Sequence, residues 1–560
     1  ERKCSIMREQ YLALMDRTFD AYGEDGIRRF FDRVRETGLR EHGFPRVSAN
    51  LAILIAHGYR TSLFSLMVEM MDFCCREIPR TSRAGNDFSV KEIVFALLEL
   101  ERAKLLPRAQ TEAWRRSLAG IDPYACYQVI APAPDKRVGN WAAFNAAGEW
   151  MRQYAGLCDA TDFLNLQLAS QLLSFDANGM YRDPHEPMLY DVMARVQLAV
   201  LLHFGYHGRH ADALRQVLRR SIPLTLRMQS VTGELPYGGR SNQFLYNEAA
   251  LAAYFEWSAA ELAATGDTDG AGQCKAAAQL AVREVERMLE RAVRTHVKNQ
   301  YPARSGIGCE KYAYFDKYMV TLASNLYLAW LFADEDIVPT AAPASQGGYA
   351  AETSPHFHKV FLNRDGYFLE FDLHADSQYD GSGLGRIHRR GIPSPLILSC
   401  PFPGADAHYG IEPPNAEPFA IGGARVVHEN GEKQLLSGAA YGVYSLQSAT
   451  KDGVRLLCRI GDTSVTETYT VTEEGVTVTV SADSPVAILF PVFRFDGQTE
   501  TEITASAQTI TVRLDGYVCR YRTDGCFERG GEIGNRNGRY VCYRATGENC
   551  VRLFIHAEQE

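Results

Sequence analysis

No stretch of this 560-residue chain reaches the roughly eighteen consecutive apolar residues of a membrane-spanning helix, so no such helix is expected. Basic character is also scarce. With 59 Lys and Arg against 68 Asp and Glu the net charge is −9, and no arginine-rich tail or basic stripe occurs, which argues against nucleic acid as a partner. Thirteen cysteines are scattered, odd in number and without a CxxC pair, unlike the even framework of a disulfide-stapled secreted domain. They read as buried or free thiols of a reducing compartment. Glu1–Tyr11 carries no apolar stretch of the signal-peptide kind. A cytoplasmic location is therefore the expectation, with removal of a leader before Glu1 as the alternative. His374, Asp376, His388 and His408 lack tight ligand spacing, so neither a metal nor another cofactor is called for.

What remains is an ordinary globular composition, 46% hydrophobic and 23% charged, in a chain too long for one core. From Met7 to about Asp334 apolar residues recur at three and four spacing. Helices are expected over Leu12–Tyr22, Ile27–Thr37, Ser62–Glu77, Val90–Leu100, Thr111–Leu118 and Trp141–Gly156. More follow over Asp159–Leu173, Leu189–Gly205, Ala211–Ser230, Gln243–Gly266, Ala271–Thr295 and Tyr314–Phe332. About twelve helices in pairs suit a toroid of helical hairpins, and segments apolar on several faces, such as Leu164–Leu173 and Val192–Leu202, suit its inner ring. Pro339–Gly348 reads as a linker. Beyond it the period shortens to two, most clearly in Gly475–Ala482, and β-branched and aromatic runs are punctuated by Gly, Asp and Asn. The expected organisation is thus an (α/α) toroid over 1–338, a linker over 339–348 and an antiparallel β-sandwich over 349–560.

Four polar clusters in the helical half each lie where a loop runs into a helix. In Gly233–Glu248, two glycines precede Arg240-Ser241-Asn242, and Asn242 and Tyr246 share a helix face. Arg240 offers a fixed fork to a carboxylate, Tyr246 is an acid–base candidate and Glu248 follows. In Tyr181–Asp191, His185 titrates near neutrality while Tyr190 and Asp191 open a helix. Asp191 with Arg195 equally makes a plain i,i+4 pair. In Gly139–Trp150, Asn140 caps a helix whose Trp141, Asn145 and Glu149 line one face, suited to stacking on a sugar and binding its hydroxyls. In Arg304–Tyr318, Glu310 and Tyr314 stand out. In a ring of hairpins such junctions gather at one mouth, where convergent polar groups make a binding site. In the β half, Phe371–Arg390 is polar and glycine-rich, and His388 with Arg386 and Arg389 could reach back over that mouth. Each cluster also has a plain structural reading as a capped helix, packing seam or solvated loop.

On these stretches and this architecture, the chain resembles the two-domain polysaccharide lyases that join an (α/α) toroid to an antiparallel β-sandwich, the alginate lyase, heparinase II/III and chondroitin lyase groups. The resemblance implies an oligo- or polysaccharide substrate bearing uronic acid and cleavage by β-elimination. An Asn or Arg neutralises the carboxylate, a Tyr or His removes the C5 proton, and a Tyr protonates the leaving oxygen. Asn242, Arg240, Tyr246, His185 and Tyr190, with His388 from the sandwich, would fill those roles; Asn140-Trp141 loosely matches the family's Asn beside a His or Trp, and the familiar Asn-His pair is absent. Related toroids serve glycoside hydrolases, which need paired carboxylates about 5–9.5 Å apart. Glu248, Glu149, Asp191, Glu234 and Glu310 are the candidates there. A non-catalytic glycan-binding protein is the third reading.

Overall fold

The computed structural model describes residues 6–82, 84–291, 308–312, 315–423, 425–427, 433–435, 443–460, 463–497 and 499–560. The first half is helical. It begins with α1 (Ile6–Asp20), α2 (Gly23–Thr37), α3 (Gly43–Ala56), α4 (Phe64–Glu77), α5 (Asn86–Ala103), α6 (Arg108–Ala119), α7 (Pro123–Cys126) and α8 (Trp141–Tyr154). It continues with α9 (Thr161–Leu172), α10 (Met188–His203), α11 (Ala211–Arg220), α12 (Ile222–Met228), α13 (Tyr246–Ala264), α14 (Thr268–Arg291), α15 (Phe315–Phe332) and a short α16 (Pro343–Gln346). Helix α3 packs on α5, α5 on α8, α8 on α10, α10 on α13, α13 on α15, and α15 closes back on α3. These six form an inner ring. Outside it, α1 and α14 cover α15 and α13, α4 covers α3, α9 covers α8 and α11 covers α10.

Burial explains which helix takes which layer. In α3 every residue from Gly43 to Ile55 is buried, and in α13 every residue from Tyr246 to Ser258. By contrast α11 buries only Ala211, Leu214 and Leu218, and α6 only Thr111, Trp114 and Leu118, the single stripe of an amphipathic outer helix. Small residues let inner helices close up. A Cβ on Gly148 of α8 would stand 3.4 Å from the Lys91 backbone nitrogen of α5. Two elements depart from the sequence reading. Helix α3 is unanticipated, because a run apolar on every face offers no 3.6-residue stripe and Pro45 suggests a break, although proline is tolerated in a first turn. The expected helix over Ala211–Ser230 is split at Ser221, with Pro223 in the first turn of α12.

The β half follows as β1 (Tyr349–Glu352), β2 (Lys359–Arg364), β3 (Tyr367–Asp372), β4 (Gly383–Arg389), β5 (Arg425–Val427), β6 (Lys433–Leu435), β7 (Val443–Thr450), β8 (Gly453–Ile460) and β9 (Thr463–Thr472). Then come β10 (Gly475–Ser481), β11 (Val486–Phe495), β12 (Glu502–Ala505), β13 (Thr509–Leu514), β14 (Tyr517–Thr523), β15 (Cys526–Asn535), β16 (Gly538–Gly547) and β17 (Cys550–Gln559). All described pairings are antiparallel. The sheets run β1-β2-β3-β4, β12-β13-β14-β17-β10-β9-β8-β7, β11-β16-β15 and β5-β6. One apolar core joins the sheets, with Val476, Val478 and Val480 alternating inward from β10 toward Phe490 and Phe371. The fold is the expected toroid followed by an antiparallel β-sandwich. Phe361 and Phe368 of the first sheet pack on Met180, Met188 and Met228 of the toroid. The stretch expected as a loop over Phe371–Arg390 is a hairpin, with His388 inside β4.

Among buried polar groups of the toroid, Arg195 is heavily engaged. It donates to both Asp191 oxygens (2.9 and 2.5 Å), to Ser221 and Thr225, and lies 4.2 Å from the Tyr254 ring centre. Asp191 also accepts from the Tyr181 backbone at 2.6 Å. Both side chains are fully buried, so their pairing is structural. Arg195→Met leaves the Asp191 carboxylate buried without its cation and is expected to cost about 3–5 kcal/mol in denaturant unfolding. The double replacement with Asp191→Asn should recover part of that loss; an additive double variant would show that the two do not act as a pair.

Candidate active site

Because inner and outer helices alternate in direction, the six inner helices run parallel, and all six begin at the same end. There they enclose a hollow of about 420 Å³. Its wall takes His42 and Arg46 from the start of α3, Phe88 from α5, Trp141 and Phe144 from α8. Tyr190 and Met193 come from α10, Tyr246 from α13, and Lys317, Tyr318 and Thr321 from α15. Arg40, Glu41, Gly85, Gln128, Arg240 and Tyr312 complete it from the intervening loops. Helix N-termini present unpaired N–H groups and the positive end of the dipole, so the geometry favours a negatively charged guest.

Arg240 is set by a turn that the β half holds from behind. Gly239 (φ 73°), Ser241 (φ 58°) and Gln243 (φ 63°) lie in the left-handed region. For Ser241 and Gln243 that conformation is costly and needs external support. The Ser241 N–H donates to Glu310 at 2.8 Å, the Gly239 N–H to Asp380 at 2.8 Å, and Asn247 Nδ2 donates to the Ser241 carbonyl at 3.2 Å. Arg536, from the turn between β15 and β16, is buried beside Glu310 (3.2 Å) and donates to the Gly239 carbonyl (2.8 Å). A Cβ on Gly239 would come within 2.8 Å of Pro187, so the turn can approach α10 only with glycine there. Held this way, Arg240 pairs with the buried Asp183, donates to the Pro184 carbonyl at 2.7 Å, and lies 4.8 Å over the Tyr190 ring.

The Ser241 hydroxyl is a hub. The Tyr190 hydroxyl is 2.9 Å from it and the Tyr312 hydroxyl 3.0 Å. Tyr246 stacks on Phe244 and Tyr318, with centres 5.7 and 5.2 Å apart. Burial pushes Tyr190, Tyr246, Tyr312 and Tyr318 above the usual phenol range. Their surroundings nevertheless differ. On Tyr190 the Ser241 hydrogen bond and the Arg240 charge pull back down. On Tyr246 the neighbouring Tyr190, Tyr312 and Glu310 add to the rise, and only Ser241 opposes it.

The hollow also has a cationic part. Arg46 is buried, pairs with Glu92 at 2.9 Å, donates to Thr321 at 2.9 Å and sits 3.3 Å from His42 Nδ1. Arginine has no acceptor, so Nδ1 accepts and the neutral ring carries its proton on Nε2. Burial, and then the charges of Arg46 and Lys317, hold the His42 pKa well below the usual imidazole value. Glu41 is the one carboxylate among the described lining residues.

Of the residues singled out in the sequence, Arg240, Tyr246, Tyr190 and Trp141 meet at this hollow. The others stand elsewhere. His185 is exposed on the loop before α10, outside the lining. His388 is buried in the seam between the halves, with Ser230 2.6 Å and Ser399 2.9 Å from its nitrogens, because β4 runs behind the turn instead of over the mouth. Asn242 points inward to the Pro236 carbonyl (3.0 Å). Asn140 is buried and anchors its loop through its N–H to Asp183 at 2.7 Å. Asn145 bonds Asp87 and the Val129 carbonyl, and Glu149 is consumed by Arg152 and Tyr127. Glu248 accepts from the Leu235 N–H, Glu234 accepts from Ser394, and Glu310 supports Ser241. Asp191 belongs to Arg195. Tyr314 lies outside the described residues. Sequence reasoning missed His42 and Arg46, which sit at the start of the unanticipated α3, and Phe88 and Lys317, which carry no local signal.

No protein-family model matches the chain, and no curated protein sequence does. Several solved structures align with the chain at low similarity. One is a Streptomyces coelicolor A3 chondroitin AC lyase in complex with chondroitin sulphate, at 12% identity and TM-score 0.46, covering 98% of this chain and 83% of that one. Another is a heparinase III, at 10% identity and TM-score 0.34, covering 99% of this chain and 91% of that one. A polysaccharide lyase aligns at 10% identity and TM-score 0.35, over 59% of this chain and 97% of its own.

A neutral, half-buried His42 makes a pH prediction with a definite sign. The unfolded chain protonates this imidazole near its ordinary pKa of about 6.5, whereas the folded protein resists. Stability should therefore fall as pH drops through that value. Unfolding free energies of the wild type and His42→Leu, compared from pH 7.5 to 5.5, should converge or cross toward the acid end. A difference constant with pH would mean that His42 titrates normally in the folded state.

Proposed function

We propose that the hollow is the active site of a polysaccharide lyase acting on a uronate-containing glycan. The supporting observation is its composition, in which Arg40, Arg46, Arg240 and Lys317 stand with four phenols and Glu41 is the one described carboxylate. Hydrolysis by either usual route needs two carboxylates across the scissile bond. Glu149, Asp191, Glu234, Glu248 and Glu310, the sequence candidates for that work, are buried outside the lining. Elimination has different needs, namely partners for a carboxylate, an acceptor for the adjacent C–H proton and a donor for the leaving oxygen.

In this reading Arg46, Lys317 and the His42 Nε2–H receive the uronate carboxylate and stabilise the enolate-like charge that grows as the C5 proton leaves. Tyr190, as its phenolate, takes that proton and becomes the neutral phenol. It is the phenol whose ionised form is helped by a cation over its ring and a hydrogen bond from Ser241. Electrons of the C5–H bond form the C4–C5 double bond, and the C4–O bond breaks. Tyr246, whose proton is held more firmly, protonates the departing oxygen. Two phenols pushed apart by their surroundings thus divide the acid and base work. Proton exchange through Ser241 restores both. Trp141 supplies an aromatic face for a sugar ring.

Incubation with a panel of uronic-acid glycans should generate the ultraviolet absorbance of a conjugated double bond. Tyr190→Phe and Tyr246→Phe should each lower turnover about 10²–10⁴-fold while retaining substrate binding. New reducing ends without that absorbance would identify a hydrolase and overturn the assignment, as would full turnover in both variants.

A further inference from the structure

A second hollow, of about 460 Å³, lies in the seam between the halves on the face of α14 and shares no lining residue with the first. Its size falls within the range of small-ligand sites. Arg283 and Arg287 are one turn apart on α14, on one face of the helix, and Arg390 faces them from the turn after β4. Glu284 is the one carboxylate among the described lining residues, and Arg287 occupies it through Nε (2.8 Å) and Nη2 (2.6 Å). Arg390 is tethered by Nη2 to the Ser345 carbonyl at 2.5 Å, which leaves its Nε and Nη1 for a guest. Arg283 has no ion-pair or hydrogen-bond partner among the described residues and is exposed. Three guanidinium groups line the hollow against one carboxylate; the Glu234 and Glu248 charges act on Arg287 from behind the wall, so the positive excess toward a guest is carried by Arg283 and Arg390.

The rest of the wall distinguishes a sugar from a bare anion. The Ser394 and Thr232 hydroxyls both donate to Glu234, at 2.6 and 3.0 Å. The Ser394 proton is spent, so its lone pairs remain as acceptors for hydroxyl donors, whereas Thr232 Oγ1 also lies 3.1 Å from Ser230 Oγ and 3.1 Å from His388 Nδ1. Tyr517, Ile392 and Leu280 supply the apolar and aromatic surface on which a pyranose face rests.

We propose that this seam hollow is a second, non-catalytic binding site for a sugar bearing a carboxylate or sulfate group. It rests on the reading of the first hollow insofar as the ligand would be another stretch of the same acidic glycan. Arg283 and Arg390 hold the anionic group, and Ser394 accepts from a ring hydroxyl. Attraction to such a site weakens as salt rises.

Calorimetric titration of the full-length Tyr190→Phe protein tests this with three probes: a uronate hexasaccharide, a sulfated neutral oligosaccharide and an unmodified neutral one. The uronate probe should show two binding events. Adding Arg283→Ala and Arg390→Ala together should weaken one of them at least 10-fold and leave the other unchanged, and Arg283→Lys with Arg390→Lys should restore part of it. The sulfated probe tells whether sulfate substitutes for carboxylate in the arginine-dependent event. Equal binding by the neutral probe, or two unchanged events in the alanine variant, would overturn the proposal; circular dichroism verifies that the variants fold. Titration needs no turnover. Arginine-dependent binding in a wild type that produces no unsaturated sugar would therefore sink the lyase reading and leave the seam site standing, and the reverse pattern would do the opposite.

Discussion

The site depends on a buried ion pair that crosses between the two halves of the chain. Arg536 comes from the sandwich, and Glu310 and the carbonyl of Gly239 from the toroid, and none of their charge reaches solvent. Stripping water from such a pair is expensive, and the attraction repays it only when geometry is good and further hydrogen bonds complete the shell. Here the shell is only partly filled: Glu310 accepts the Ser241 N–H and the Tyr409 ring centre lies 4.5 Å from the guanidinium, whereas Asp380 stands 3.9 Å away and Arg536 Nε and Nη1 have no hydrogen-bond partner among the described residues. The return for that cost is local. A turn with Ser241 and Gln243 in left-handed conformations is kept in one shape, and with it the position of Arg240 and the Ser241 hydroxyl.

This arrangement gives the β half a part in shaping the hollow without lending it a side chain. Every described lining residue comes from the helical half, yet the turn bearing Arg240 is braced by Glu310, Asp380 and Arg536, two of them from the sandwich. A second band of buried charge lies nearby, where Lys359 stands 3.4 Å from the centre of the Tyr237 ring and within 3.3 Å of Glu370 and Asp372. It keeps the segment before the turn seated on the first sheet. Removing water from both bands ties the orientation of the halves to the conformation of the turn, so docking and site assembly are one event.

How much of this was legible in the chain follows from which interactions are local. Alternating periods separate the halves because a helix buried on one side and a strand buried on one side print their geometry directly on the residue order. Arg240, Tyr246, Tyr190 and Trp141 were visible as polar or aromatic residues at loop-to-helix junctions, and in a ring of parallel inner helices junctions converge. The same logic overreached for Asn145, Glu149 and Asp191. Polar residues at helix starts also serve as internal bolts, and nothing in a single sequence tells a solvated carboxylate from one paired with Arg152 or Arg195. Helix α3 escaped because complete burial erases periodicity, and Arg46 and His42 escaped with it.

By itself, then, the order of residues determined the class of each half and the places where chain reversals bring polar groups to helix ends. Those depend on spacing of three and a half or of two residues, and on the conformational limits of glycine and proline, all of which act over a few positions. Tertiary structure alone decided that His388 would be sealed in a seam and that Arg46 and Lys317 would line one hollow with Tyr190. It also decided that Arg536 would reach Glu310 from 226 residues away. Charge pairing and burial are set by distance through space, and a linear sequence carries that distance only after the ring has closed.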